Sequence, residues 1–161
     1  METGSCCCLR YAGGKVLELH QGPLPVESIL GHWYRIHQKE NFGAFITFVG
    51  TVREEGEIEG LSFDIYEPMF RKWFDHWQTQ ARSQGALLRI AHSVGDVPLH
   101  HSSYIAGVLS PKRRVALEMI DAFVEDFKAN APIWKYDLMG GKRLYAGDRS
   151  HLLPGSGLLK L

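Results

Sequence analysis

The chain has 161 residues, 45% of them hydrophobic and 22% charged, the size and balance of one globular domain with a real core. Its 18 basic and 18 acidic side chains cancel, which excludes the global positive field that drives non-specific nucleic-acid or membrane binding and makes any anion site a local one. Apolar runs such as Ala44-Phe45-Ile46-Thr47-Phe48-Val49 fall far short of the roughly 20 residues a bilayer crossing needs, so a soluble protein is expected.

Cys6, Cys7 and Cys8 are the only cysteines. With nothing elsewhere to pair with, they argue against a disulfide framework and for a reducing, cytoplasmic setting. Three consecutive thiols do not converge easily on one metal ion. The first ten residues lack the apolar centre of a secretory signal, and residues 1–14 read as a flexible leader, ahead of a single domain over 15–150 and a mobile tail over 151–161.

Val16 to His20 is expected as a short strand. Pro25 to Lys39 follows as a helix with Val26, Ile29, Leu30, Trp33 and Ile36 on one side. Gly43 to Val52 is the next strand. Glu59 to Tyr66 alternates Leu61, Phe63 and Ile65 against Gly60, Ser62 and Asp64, the period of a half-buried strand. Pro68 to Ser83 returns to helix. Leu87 to Val94 and Tyr104 to Leu109 read as strands flanking a loop from Gly95 to His101. Ser110 is a good N-cap and Pro111 a good first-turn residue for a helix whose stripe is Val115, Met119, Phe123 and Phe127, with Ala116, Ile120 and Val124 beside it. Pro132 ends that helix, Ile133 to Leu138 and Arg143 to Ala146 are short extended pieces, and the Gly140-Gly141 pair reads as a turn. The mixed order predicts an α+β domain with a largely antiparallel sheet.

Three features carry chemistry. Lys112, Arg113 and Arg114 fall in the first turn of the last helix, where free N–H groups already make the end positive; a bound anion turns that unfavourable cluster into a favourable one, and side chains swung into water are the plain alternative. Lys128 and Lys135 lie on either side of the break at Pro132, near one corner. A lysine packed beside Trp134 and Phe127 would be partly desolvated and a better base or nucleophile, against the plainer reading of a solvated lysine at a helix C-terminus. Arg53 closes an apolar strand, a position suited to bidentate phosphate recognition or to an ordinary surface charge. The histidines, including His92, His100 and His101, have no metal-ligand spacing and read as surface or core residues.

Four segments, Thr47-Phe48-Val49-Gly50-Thr51-Val52-Arg53, Tyr66-Glu67-Pro68-Met69, His92-Ser93-Val94-Gly95 and Lys128-Ala129-Asn130-Ala131-Pro132-Ile133-Trp134-Lys135, resemble in order and spacing the large, catalytic subunits of molybdopterin synthase, the MoaE family. The match runs from about Val16 to Arg149. The resemblance implies an α/β hammerhead-type fold, a homodimer, and a ubiquitin-like sulfur-carrier subunit whose C-terminal Gly-Gly thiocarboxylate enters the site. The implied reaction is two rounds of sulfur transfer onto cyclic pyranopterin monophosphate, with no metal or organic cofactor. Carried over by position, Lys128 and Lys135 are the essential lysines; Thr51, Val52, Arg53, Lys112, Arg113 and Asp137 contact substrate, and Arg149 helps hold anions. Lys112 stands where the family has histidine, Asp137 where it has glutamate, and Ser93 where arginine is common. Those departures leave open a non-catalytic paralogue that binds the carrier or an anionic ligand. An unrelated phosphate-recognising α+β module is the remaining alternative.

Overall fold

A computed structural model describes residues 15–148. The leader over 1–14 with its three cysteines, Arg149 and the tail over 151–161 lie outside the described residues. In chain order the elements are β1 (Leu17–Gln21), α1 (Val26–His37), β2 (Ala44–Thr51), β3 (Gly60–Ile65), α2 (Glu67–Ser83), β4 (Leu87–Pro98), β5 (Ser102–Ser110), α3 (Arg113–Asn130), β6 (Ile133–Met139) and β7 (Lys142–Tyr145), closed by a 3-10 turn at Ala146–Asp148. The strands run in the order β2-β5-β4-β3-β6-β7, all antiparallel, and β1 joins β4 in parallel. This is the expected α+β architecture with a mainly antiparallel sheet.

The long strand β4 divides the sheet into two wings. Its first part, Leu87 to His92, pairs with β5, whereas Gly95 to Pro98 pairs with β3. At the start of the second part Gly95 takes φ +80°, a left-handed conformation that only glycine adopts without strain. The expected loop from Gly95 to His101 is therefore wrong in its first half. Because β3 supplies a ladder of partners, the strand continues to Pro98 and only residues 99–101 form the turn.

On one face of the β2-β5-β4 wing, α3 and α2 bury the main core. Ala116, Met119 and Phe123 are buried and Val115, Ile120, Val124 and Phe127 half-buried, the stripe predicted from their spacing. Phe123 meets Trp73, Phe74 and Trp77 of α2 at ring-centroid distances of 5.3, 6.2 and 5.4 Å. On the opposite face α1 packs Ile29 and Trp33 against Ala91 and Ile105. Gly107 must be bare there, since a Cβ would stand 3.0 Å from the Phe45 ring and 3.2 Å from that of Trp33.

The start of α3 differs from expectation. Ser110 is not the N-cap: it is the last, buried residue of β5, and its carbonyl accepts from the Gly43 N–H. Its hydroxyl accepts the Lys112 N–H at 3.2 Å, and Lys112, in an extended conformation, is the cap residue of a helix that begins at Arg113. The strand pairing of Ser110 with Ala44 wins over local capping preference. At the other end the chain leaves α3 at Ala131, and β6 turns into β7 through Gly140 and Gly141, whose φ values of +54° and +72° suit a two-residue hairpin loop.

Candidate functional site

In an antiparallel ladder, directly opposed residues share a face. On the β3-β6 wing, Leu61 opposes both Val97 and Asp137, and Phe63 opposes Lys135. Leu61, Phe63, Val97 and Ile133, together with Val52 and Leu99, form one apolar cluster on that face. Lys135 and Asp137 therefore stand on the same side of the sheet as Val52. Asp137 is 2% exposed at the deep end of this row, and Lys135 is exposed at its rim.

Lys128 lies exposed in the last turn of α3. The preceding residue, Phe127, stacks on Tyr104 at 3.9 Å and lies 5.5 Å from the ring of His92, which in turn meets Phe63 edge-on at 5.0 Å. This aromatic column ties the end of α3 to the strand that opposes Lys135. Val52, Lys135 and Asp137 thus share one face of this wing, Arg53 follows Val52 at the exit of β2, and Lys128 follows Phe127 in the last turn of α3.

Of the two readings of these lysines, the exposure of both favours the solvated one over desolvation beside Trp134 and Phe127. Trp134 opposes Asp64 and points to the other face from Lys135, and both Lys128 and Lys135 are exposed. Within one chain neither ammonium is stripped of water.

Arg53 is held by a partner rather than by burial. Its guanidinium side chain is 82% exposed and pairs with the carboxylate of Glu55. Thr51 ends β2 just beyond a register shift, where Gly50 pairs with Tyr104 but Thr51 with Ser102. Such a bulge re-aims the end of a strand. The chain is then fastened again at Val52, which donates its N–H to the His101 carbonyl at 2.9 Å and accepts the His100 N–H at 2.6 Å. This clamp and the Glu55 pairing were not visible in the sequence. The positive φ of His100, +66°, would have been the signal, and no residue-type rule reveals it in advance.

Lys112 and Arg113 do not lie beside Lys128. They lie at the opposite end of α3, exposed, and the first turn contains no acid. Arg114 meets Glu118 at 3.8 Å, whereas Lys112 and Arg113 have no ion-pair partner among the described residues. At about 1.5 Å per residue, the 15 residues from Arg113 to Lys128 separate their backbones by roughly 22 Å. Two clefts of the isolated chain open elsewhere, one beside Tyr34, His37 and Glu40 and one beside Lys15, Glu18 and Arg71.

His92 is fully enclosed. Burial lowers its pKa from 6.5 to about 4, partly opposed by its hydrogen bond to the Ser93 carbonyl at 2.7 Å, in which Nδ1–H donates. Since the unfolded chain binds this proton more readily than the folded one, stability is full above pH 6.5 and falls as pH drops from 6.5 toward 4. The loss expected from this one group is on the order of 3 kcal/mol. Urea unfolding of wild type and His92→Phe at pH 7.5 and pH 4.5 should show a clearly smaller acid loss in the variant. Equal losses would exclude His92 as the cause.

Comparison with known proteins agrees with this fold. Residues 20–130 match the MoaE protein family. A molybdopterin synthase catalytic subunit of Helicobacter pylori is 49% identical over 144 residues, covering 89% of this chain and 99% of the relative. Among solved structures, the complex of subunits 1 and 2 of molybdopterin-converting factor from the same organism superposes with a TM-score of 0.82 at 49% identity, covering 90% of this chain and 99% of the other. Molybdopterin synthase from Staphylococcus aureus superposes with a TM-score of 0.70 at 25% identity, covering 83% and 98%.

Proposed function

The chain belongs to the MoaE family, the catalytic subunits of molybdopterin synthase, and from that premise we propose that it is a sulfurtransferase that moves sulfur from the C-terminal thiocarboxylate of a small ubiquitin-like carrier onto cyclic pyranopterin monophosphate. The reading is supported by the shared face of Lys135, Asp137 and Val52, by the clamp that fixes Val52 before Arg53, and by the aromatic column that ties the end of α3, where Lys128 lies, to β3. A carrier partner is supported by the likeness to a solved complex of two subunits. The cytoplasm, where such a biosynthetic step belongs, is the proposed location.

In this reading the two ammonium groups meet the negative thiocarboxylate and neutralise the oxyanion that forms when its carbon becomes tetrahedral. A docked carrier tail would cover both lysines and remove the water that surrounds them in the single chain, which strengthens every charge interaction beneath it. Arg53 would exchange its Glu55 partner for the substrate phosphate, a bidentate acceptor of better fit. Lys112 and Arg113, too distant in their own chain, would enter the same site from a second copy across a two-fold axis. Arg149 is proposed to add to the anion grip.

The test is reconstitution: purified chain, thiocarboxylated carrier and cyclic pyranopterin monophosphate, with the pterin followed by mass analysis. A product gaining two sulfurs supports the proposal. Carrier binding without any sulfur transfer would instead favour a non-catalytic paralogue, the reading that Lys112 and Ser93 keep open.

A further inference from the structure

We propose that His101 is the general base of this site, taking the proton from the water that releases the carrier; the inference rests on the sulfur-transfer reading above. Three observations place it. The turn over residues 99–101 is fastened to the strand exit by the two backbone hydrogen bonds between Val52 and the His100-His101 pair, so His101 is fixed relative to the residue before Arg53. Leu99 of the same turn packs in the apolar cluster with Val52, Phe63 and Ile133, on the face that carries Lys135 and Asp137. Finally, the His101 ring contacts the Leu99 carbonyl at 3.0 Å through Nδ1. A carbonyl oxygen only accepts, so Nδ1 carries the hydrogen, and the lone pair of the neutral ring is at Nε2 on an exposed residue. A backbone carbonyl that sets the tautomer in this way is a common means of presenting imidazole as a base.

The chemistry needs such a group. Carrier release starts from an acyl thioester in which one sulfur joins the carrier's acyl carbon to the pterin. Water attacks the acyl carbon, its proton passes to Nε2 of His101, and the oxyanion faces the Lys128 and Lys135 ammonium groups. Collapse breaks the acyl carbon–sulfur bond, leaving sulfur on the pterin as thiolate and the carrier as a carboxylic acid that ionises by giving its proton to water, with no oxidant or reductant. An ammonium group has no lone pair to take that proton, and the position where the family has histidine is Lys112 here. The segment after β2, fastened to the turn through Val52, carries Arg53, Glu54 and Glu55, and the turn itself carries His100; on the wing whose apolar cluster Leu99 joins, β6 carries Lys135 and Asp137, and Lys128 lies in the last turn of α3; Asp96 of β4 faces away, accepting from Ser62 at 2.6 Å.

The experiment compares wild type and His101→Ala in single-turnover reactions with thiocarboxylated carrier and cyclic pyranopterin monophosphate, across pH 5.5–8.5 and with or without added imidazole. General-base loss predicts a fall of about 10² or more in product release, accumulation of the carrier–pterin thioester in intact-mass spectra, loss of the acid limb of the pH profile, and partial recovery with imidazole. Turnover within about twofold of wild type, or a loss that imidazole does not restore and that leaves the acid limb in place, overturns the assignment. A wild type that transfers no sulfur at all overturns the functional reading instead, so the two failures are distinguishable.

Discussion

Lys128→Ala is expected to lower product formation by about 10² or more while leaving the fold unchanged. The two halves of that expectation have different origins. Lys128 is exposed in the last turn of α3, where a cation contributes only about 0.3–1 kcal/mol through the helix dipole, so its loss barely changes stability. Its catalytic contribution depends on a charge that develops only when the thiocarboxylate carbon becomes tetrahedral beneath a docked, water-excluding carrier tail. Removing one preorganised donor from such a site typically costs 10²–10³ in rate. Unfolding midpoints and carrier affinity should therefore match wild type while single-turnover rates collapse. Turnover within about twofold of wild type would remove Lys128 from the mechanism.

The second large effect is a recovery rather than a loss. Arg113→Ala and Lys128→Ala are each expected to be inactive, yet a mixture that exchanges subunits should regain activity. The reason is the length of α3, an unbroken helix of 18 residues from Arg113 to Asn130 that keeps its two basic ends roughly 22 Å apart. One small substrate does not span that distance. If the basic start of one helix faces the lysine corner of a second copy, a heterodimer holds one site with both defects and one intact site, and works at about half the wild-type rate. Native mass spectrometry establishes the exchange. An exchanged mixture that stays inactive means that all these residues act within one chain.

The sequence by itself determined most of the element order, the α+β class and the apolar stripe of α3, because each rests on local periodicity: alternation for β3, four-residue spacing for α3, and Pro132 and the Gly140-Gly141 pair as breakers. The motifs around Val52-Arg53 and Lys128 to Lys135 were legible as well, since they are contiguous in the chain. Tertiary structure alone decided what those motifs touch. The ladder to β3 carries β4 past Gly95 to Pro98, and the pairing of Ser110 with Ala44 pulls that serine out of its capping role. Opposed registers send Lys135 and Trp134 to different faces, and the clamp from Val52 to His100 and His101 sets a histidine turn beside Arg53. Each of these depends on hydrogen bonds between segments far apart in sequence. Short-range preference, amounting to a few tenths of a kcal/mol to about 1 kcal/mol per residue, gives way where a buried backbone group would otherwise go unpaired at a cost of about 1–3 kcal/mol.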